Sequence, residues 1–517
     1  MSLLTSILNT STLYIYILPF LAVAYLLSQY FHNGLHRYPG PFLAKFTHLW
    51  RFVDVYGRRP EVTHIRLHRK HGDVVRLGPN VLSFADPNAL KVIYGLNKGF
   101  VKSAFYPVQM STSKGELLPS LFSTTDEVFH ANLRRAVNHA FAMSSLVQYE
   151  PLVDETIDLF LNQTAKIYAS TGKTCDFARW LQYFAFDVIG SITYSKRHGF
   201  IEKNQDIDGI IAQLARTFDY AGPVGQMPWL DSLLWKNPIL NTLSRWGIID
   251  NSFAVAIFAR ARMQERLSSK VSTATASSRD DLLTMFLKAR DARPDFMTEK
   301  RVLTMAVSMA FAGSETTAIS LAAVFYYLLK NPSCLRRLRE ELDTAVKTGL
   351  IENRPSGRVS WSESQRLPYL DACIKEAFRV HPAAGLPLER VVPPQGMDIA
   401  GHWVPGGTIV GCSAWVIHRR EEIFGADVDS YRPERWLEAS DEQLKTMNGT
   451  MFQFGAGSRT CIGKNISLME IYKLVPSFLR RFDVHLANPD KEWKLHNAWF
   501  VRQLGFETTF TARMIET

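Results

Sequence analysis

Cysteine is scarce in this chain: five in 517 residues, Cys175, Cys334, Cys373, Cys412 and Cys461, with no C-x-x-C among them. An odd number of widely spaced cysteines argues against a disulfide framework and for a reducing compartment. There is no internal repeat, and no long Pro/Gly/Ser linker divides the chain. Length alone would allow several domains, but it is a soft guide. Net charge is +10 with a pI of about 9.2, a balance that suits nucleic acid, anionic lipid or an acidic protein partner. No stretch resembles a nucleic-acid-binding motif, which leaves a lipid surface and an acidic partner.

Charge is missing altogether from Ser11 to Phe31, and Leu13 to Leu27 is almost wholly apolar. That run is long enough to cross a bilayer. No Lys or Arg precedes it, and Arg37 and Lys45 follow it, so the positive-inside rule places the long C-terminal part in the cytoplasm. Ala22-Val23-Ala24 resembles a signal-peptide cleavage site, but the n-region lacks basic residues. The expectation is a retained single-pass anchor over residues 1–35 and one catalytic domain over 36–517. Tyr38-Pro39-Gly40-Pro41 makes a stiff elbow between them, because the prolines forbid continued helix. Sequons at Asn162, Asn448 and Asn465 would then face the cytosol.

The chain is organised around Phe454 to Gly463, Phe-Gly-Ala-Gly-Ser-Arg-Thr-Cys-Ile-Gly. Cys461 follows Arg459 by two residues and precedes an apolar helical run. A nearby cation and a helix N-terminus both favour the thiolate, the form that ligates metal. Gly455, Gly457 and Gly463 let backbone approach a flat ligand. A merely buried cysteine would explain neither the arginine nor the glycines. The decapeptide resembles, at every fixed position, the Cys-ligand loop of the cytochrome P-450 family, Phe-x-x-Gly-x-Arg-x-Cys-x-Gly. Haem ligated by a thiolate favours O–O cleavage.

Other motifs of the family stand in order along the chain. His130 and Arg134, four apart on one helix face, occupy the place of the family's Trp-x-x-x-Arg pair for the haem propionates. His130 replaces the tryptophan, and it can still donate to a carboxylate. Thr298 can cap a long helix reaching Asn331, whose middle, Ala312-Gly313-Ser314-Glu315-Thr316-Thr317, resembles the stretch over the distal haem face. The resemblance implies that Ala312 and Gly313 leave room for oxygen and that Thr316 hydrogen-bonds it. It implies that Glu315 relays the protons needed for O–O cleavage. A mid-helix threonine that only bonds back to a carbonyl is the plainer alternative. Glu376 and Arg379 match Glu-x-x-Arg, and Arg435 matches the arginine that completes that network. Arg390 is a propionate candidate, beside Phe454 and Arg459. Short strands are expected at Val74–Leu77, Val81–Phe84, Trp403–Val404 and Thr408–Ser413.

The resemblance covers essentially the whole chain. It implies a mainly helical fold with a small β region, haem b as cofactor, and electrons from NADPH through a separate flavoprotein reductase. The chain is too short to include that reductase. The implied activity inserts one oxygen atom from O2 into a hydrophobic small molecule, at the endoplasmic reticulum membrane. The texture is similar to filamentous-fungal enzymes of secondary metabolism such as pisatin demethylase, with terpenoid, polyketide or alkaloid substrates. Two alternatives stay open: a haem-thiolate isomerase or dehydratase that uses no O2, and a non-catalytic haem-binding sensor. Family position brings Phe105 to Met110, Phe218, Met309, Leu386 and Phe500 near an apolar pocket. Ala221 to Leu243, rich in aromatics and prolines, is either core or a surface that dips into lipid. Ser268 to Arg279 reads as a polar loop.

Overall fold

The computed structural model describes residues 2–249, 253–268 and 281–513, with side chains from residue 16 onward. Most of the Ser268–Arg279 stretch therefore lies outside the described residues. Helices dominate, and one of them is the axis of the fold. Helix α5 (Glu299–Lys330) is apolar almost all round and largely buried, as a helix in the centre of a large core should be. It packs against α3 (Phe177–Tyr194), α6 (Pro368–Val380) and α7 (Lys464–Arg481). Gly313 permits a close approach to α3, since a Cβ there would sit 3.0 Å from Ile189. Thr298 is the N-cap residue, but its carbonyl rather than its hydroxyl receives the first helical amides.

Helix α1 (Ser2–Phe31) leads the chain, and its apolar side chains from Tyr16 to Leu27 are exposed. Within the expected Ser11–Phe31 span, the side chains of residues 11–15 lie outside the described set. Among the described residues, the helix long and apolar enough to cross a membrane is α5, whose burial identifies it as a core element. The end of α1 is fastened to the domain by Arg76, which is fully buried and donates to the carbonyls of Gln29 and Tyr30, each at 2.7 Å. A cation satisfying the last carbonyls of a helix also complements its dipole.

Arg76 lies in the small sheet built from β1 (Val74–Gly78), β2 (Val81–Phe84), β3 (Val101–Lys102), β4 (Arg390–Val391) and β5 (Ile409–Cys412). Their order is β1-β2-β5-β4-β3, with β1 and β2 forming the expected hairpin. The β3–β4 register sets Lys102 directly opposite Arg390. A second hairpin, β6 (Lys494–Asn497) with β7 (Val501–Leu504), carries Trp499 and Phe500 at its tip. Trp499 has φ of +100°, a conformation that surrounding structure must impose on a bulky residue.

The expected Glu376–Arg379–Arg435 network is fully assembled behind the Cys461 loop. Glu376 accepts from Arg379 at 2.8 and 2.9 Å, from Arg435 at 2.9 Å and from Trp436 Nε1 at 2.9 Å. All four side chains are buried, so removing one of the three charged members would strand its partners' charge at about 3–5 kcal/mol. Ala221–Leu243 divides between the two readings: residues 221–226 are buried, whereas Trp229, Leu233, Leu234, Trp235, Ile239 and Leu240 are exposed.

Candidate functional site

A cavity of about 1540 Å³, open solvent at its mouth included, lies between α5 and the loop Phe454–Gly463. Ala312, Gly313, Thr316 and Thr317 of α5 line one side. Phe454, Gly455, Cys461, Ile462 and Gly463 line the other. The loop is held tightly: Cys461 N–H donates to the Phe454 carbonyl at 2.9 Å. Gly457 has φ of +65°, and a Cβ there would lie 1.8 Å from the Tyr94 carbonyl oxygen, so only glycine fits. Gly463 is the N-cap of α7. The Cys461 sulfur is open to the cavity and enclosed by protein elsewhere. Burial pushes its thiol up, while the Gly463 and Lys464 amides and Arg134 pull it back down. A metal cation at the sulfur would remove the proton outright.

Cations crowd one edge of the cavity. His130 and Arg134 project from α2 (Glu127–Val137), which Asp126 caps through the Phe129 amide at 2.9 Å. Arg390, Arg459 and Lys102 complete the group. Arg459 pairs with Glu127 at 2.7 Å. Arg134 donates to the Thr460 carbonyl at 2.8 Å, and Arg390 to Tyr106 Oη at 3.2 Å. Among the described residues, no carboxylate lies within ion-pair distance of Lys102, Arg134 or Arg390. Burial, with Arg459, Lys102, Arg134 and Arg390 adding to it, lowers the His130 pKa to about 3, so its ring is neutral and can donate one N–H. Burial and then Arg390 and Arg459 hold Lys102 well below its ordinary value.

Like charges set directly opposite in a sheet are destabilising, and Lys102 faces Arg390 in register. Such an edge is stable when an anion occupies it. The cavity thus offers a flat glycine-lined face, an axial sulfur and an anion-seeking rim. That donor set fits haem b, whose propionates His130, Arg134, Arg390, Arg459 and Lys102 would receive. The cytochrome P450 family profile matches residues 39–508. The chain belongs to the cytochrome P450 family.

Curated relatives agree along the full length. Cytochrome P450 monooxygenase cicH of Emericella nidulans is 42% identical over 95% of this chain and 97% of its own. A cytochrome P450 monooxygenase of Aspergillus terreus is 42% identical over 94% of this chain and 98% of its own. Cytochrome P450 monooxygenase pkfB of Emericella nidulans is 36% identical over 95% and 94% respectively. A haem-thiolate oxidoreductase is therefore the class of this P450.

The structure brings most of the singled-out residues to one cavity. Ala312, Thr316, His130, Arg134, Arg390, Phe454, Arg459 and Cys461 all line it, as do Tyr106, Met309, Leu386 and Phe500. Glu315 does not. Its buried carboxylate turns to the opposite side of α5, hydrogen-bonded by Gln182 and 3.7 Å from Arg502 Nε. Burial pushes its pKa up against the pull of Arg502 and Arg179. Arg502 in turn meets Asp219 at 2.6 Å, and Asp219 meets His496 at 2.7 Å, both partly exposed. Thr316 Oγ1 donates to the Ala312 carbonyl at 2.8 Å, so its lone pairs remain free for the cavity.

Sequence reasoning missed Lys102 and Trp499. Neither belongs to a spaced motif, and only the β3–β4 register and the β6–β7 turn bring them to the cavity. Lys102→Met in this P450 should weaken haem retention by about tenfold, the worth of one charge-assisted hydrogen bond. The melting temperature of the haem-free protein should not fall, because a like-charge contact is relieved. Haem content per protein and calorimetry of the haem-free form read the two effects separately.

Proposed function

We propose that this P450 is a microsomal monooxygenase that inserts one atom of O2 into a hydrophobic small molecule of fungal secondary metabolism. Electrons come from NADPH through a separate flavoprotein reductase. The observation that carries this reading is that Cys461 and Thr316 line one largely apolar cavity whose rim seeks anions. When bound, haem supplies the oxygen-activating chemistry, with a thiolate ligand that favours O–O cleavage.

The chain's own residues define the rest of the task. Cys461 would hold the metal, and His130, Arg134, Arg390, Arg459 and Lys102 would receive the acidic groups of the cofactor. Met309, Leu386 and Phe500 exclude water and hold an apolar substrate over the reacting face. Thr316 offers a hydrogen-bonding hydroxyl there, and Glu315 stands one residue away as proton source, with the Arg502–Asp219–His496 cluster between it and solvent. The terpenoid, polyketide and alkaloid classes all suit such a lining.

Helix α1 is read as a single-pass anchor in the endoplasmic reticulum membrane, with the catalytic domain cytoplasmic. Exposed apolar residues at Trp229, Leu233, Ile239 and Trp246, and at Phe42 and Leu43 after the anchor, support contact with the same lipid surface. Deletion of residues 1–31 should move most of the protein from the membrane to the soluble fraction, with residual binding through the Trp229–Trp246 face. Fractionation, with and without high salt, measures this. Protease protection on intact microsomes tests orientation, and a protected catalytic domain would refute the cytoplasmic placement. Activity is tested by co-expression with a reductase and metabolite profiling against a null strain.

A further inference from the structure

A second chamber adjoins the haem cavity, and its chemistry differs. It holds about 1260 Å³, open solvent included, between the strand-like segment after Val108 and helix α4 (Ile210–Val224). An aromatic partition separates the two spaces: Phe311 lines the outer chamber and Phe500 the inner one. Phe218 packs between them, with centroid distances of 5.1 and 5.0 Å. The outer walls mix polar and apolar side chains, with Tyr220 stacked on Trp235 at 4.0 Å.

Of the polar residues in that lining, Gln109 and Arg216 stand out. Gln109 is only 6% exposed, yet neither its amide nitrogen nor its amide oxygen has a hydrogen-bond partner. Buried amides in folded proteins are almost always paired, so an unpaired one aimed into a chamber marks a place for a ligand atom. Its position is fixed from behind: Lys236 Nζ donates to the carbonyls of Pro107 and Val108 at 3.0 and 2.6 Å. Arg216 of α4 also lines the chamber, and among the described residues no carboxylate lies within ion-pair distance of it. Among the described residues the lining includes no Asp or Glu, and its other cation, Lys236, is neutralised by Asp231 at 2.7 Å. Among the described residues the chamber therefore has one cation without a carboxylate partner, Arg216 at its exposed side, and one buried amide with both functions free.

We propose that the outer chamber is a carboxylate subsite, in which Arg216 and Gln109 hold the acid end of an amphipathic substrate. The apolar body of that substrate passes Phe311 and Phe218 to lie over Thr316. Arg216 supplies charge and Gln109 Nε2 a second donor, while Gln109 Oε1 accepts from a neighbouring hydroxyl of the same molecule. The inference rests on the monooxygenase reading and narrows it to hydrophobic carboxylic acids.

The test compares a homologous series of ω-phenylalkanoic acids with their methyl esters on the full-length, haem-loaded protein. Equilibrium dialysis measures binding without reference to the haem, and the Soret shift reports whether the apolar end reaches it. The best acid should bind at least about tenfold more tightly than its ester, as expected for a charge-assisted contact, and the preference should shrink with salt. Arg216→Ala and Gln109→Ala should each weaken the acid by about tenfold and leave the ester unchanged, with Arg216→Lys retaining part of the preference. Equal binding of acids and esters across the series, or equal loss of both in the variants, would overturn the proposal. The carbon monoxide spectrum of the same preparations separates the two readings. A thiolate band without acid preference defeats the subsite alone, and acid preference without the band defeats the haem-thiolate reading alone.

Discussion

Cys461→Ser should abolish the red-shifted Soret band that the reduced, carbon monoxide-bound protein gives with a thiolate-ligated haem, and turnover with it. A serine hydroxyl keeps its proton where a thiol can lose it, so the thiolate that would hold the metal and its electron donation are lost together. The geometry singles out this cysteine. Its sulfur opens into the cavity opposite Thr316 and receives the amides that begin α7. Cys175 and Cys412 are fully buried, away from the cavity lining, and burial pushes both thiols up. Cys175→Ser and Cys412→Ser should therefore keep the band. The rim residues are intact in Cys461→Ser, so haem content should fall less than the spectrum changes. Retention of the band in Cys461→Ser would show that another group ligates the metal.

Legibility in the sequence followed locality. Motifs in which spacing along one element fixes geometry were readable: Glu376 with Arg379 three apart on a helix, His130 with Arg134 four apart, and the glycines that fold Phe454–Gly463 around Cys461. The long helix Glu299–Lys330 was readable because a run that apolar belongs in a core or a membrane. What depended on tertiary register was not. Lys102 is an ordinary lysine in the chain and becomes part of the cationic rim only because β3 pairs with β4. Trp499 reaches the cavity through a left-handed turn residue that no propensity favours. Gly313 was read as making room for oxygen; its Cβ position against Ile189 adds a second reason, the close packing of α5 on α3. The direction of Glu315 was likewise invisible, since consecutive residues on a helix point about 100° apart.

That direction shapes the last expectation. Thr316→Ala should keep haem and substrate binding but lower product formed per NADPH oxidised, with hydrogen peroxide rising in its place. Thr316 Oγ1 gives its proton to the Ala312 carbonyl and turns its lone pairs to the cavity, so it can hold a protonated oxygen or a water where alanine cannot. Glu315→Gln should slow turnover by a different route. Glu315 is held on the far side of α5 by Gln182 and Arg502, next to an ion cluster that reaches solvent through Asp219 and His496. Its burial-raised pKa suits a group that takes a proton from that side and yields it toward Thr316. An amide of the same shape keeps the packing and cannot cycle a proton. Loss of a general acid–base relay typically lowers rate by about 10²–10⁴-fold, or roughly 3–5 kcal/mol of barrier. A solvent isotope effect on NADPH-coupled product formation should grow in Glu315→Gln, as proton delivery becomes limiting. An isomerase would turn over without NADPH, and a sensor would form no product. Unchanged coupling and rate in both variants would mean that Glu315 and Thr316 serve only the packing of α5.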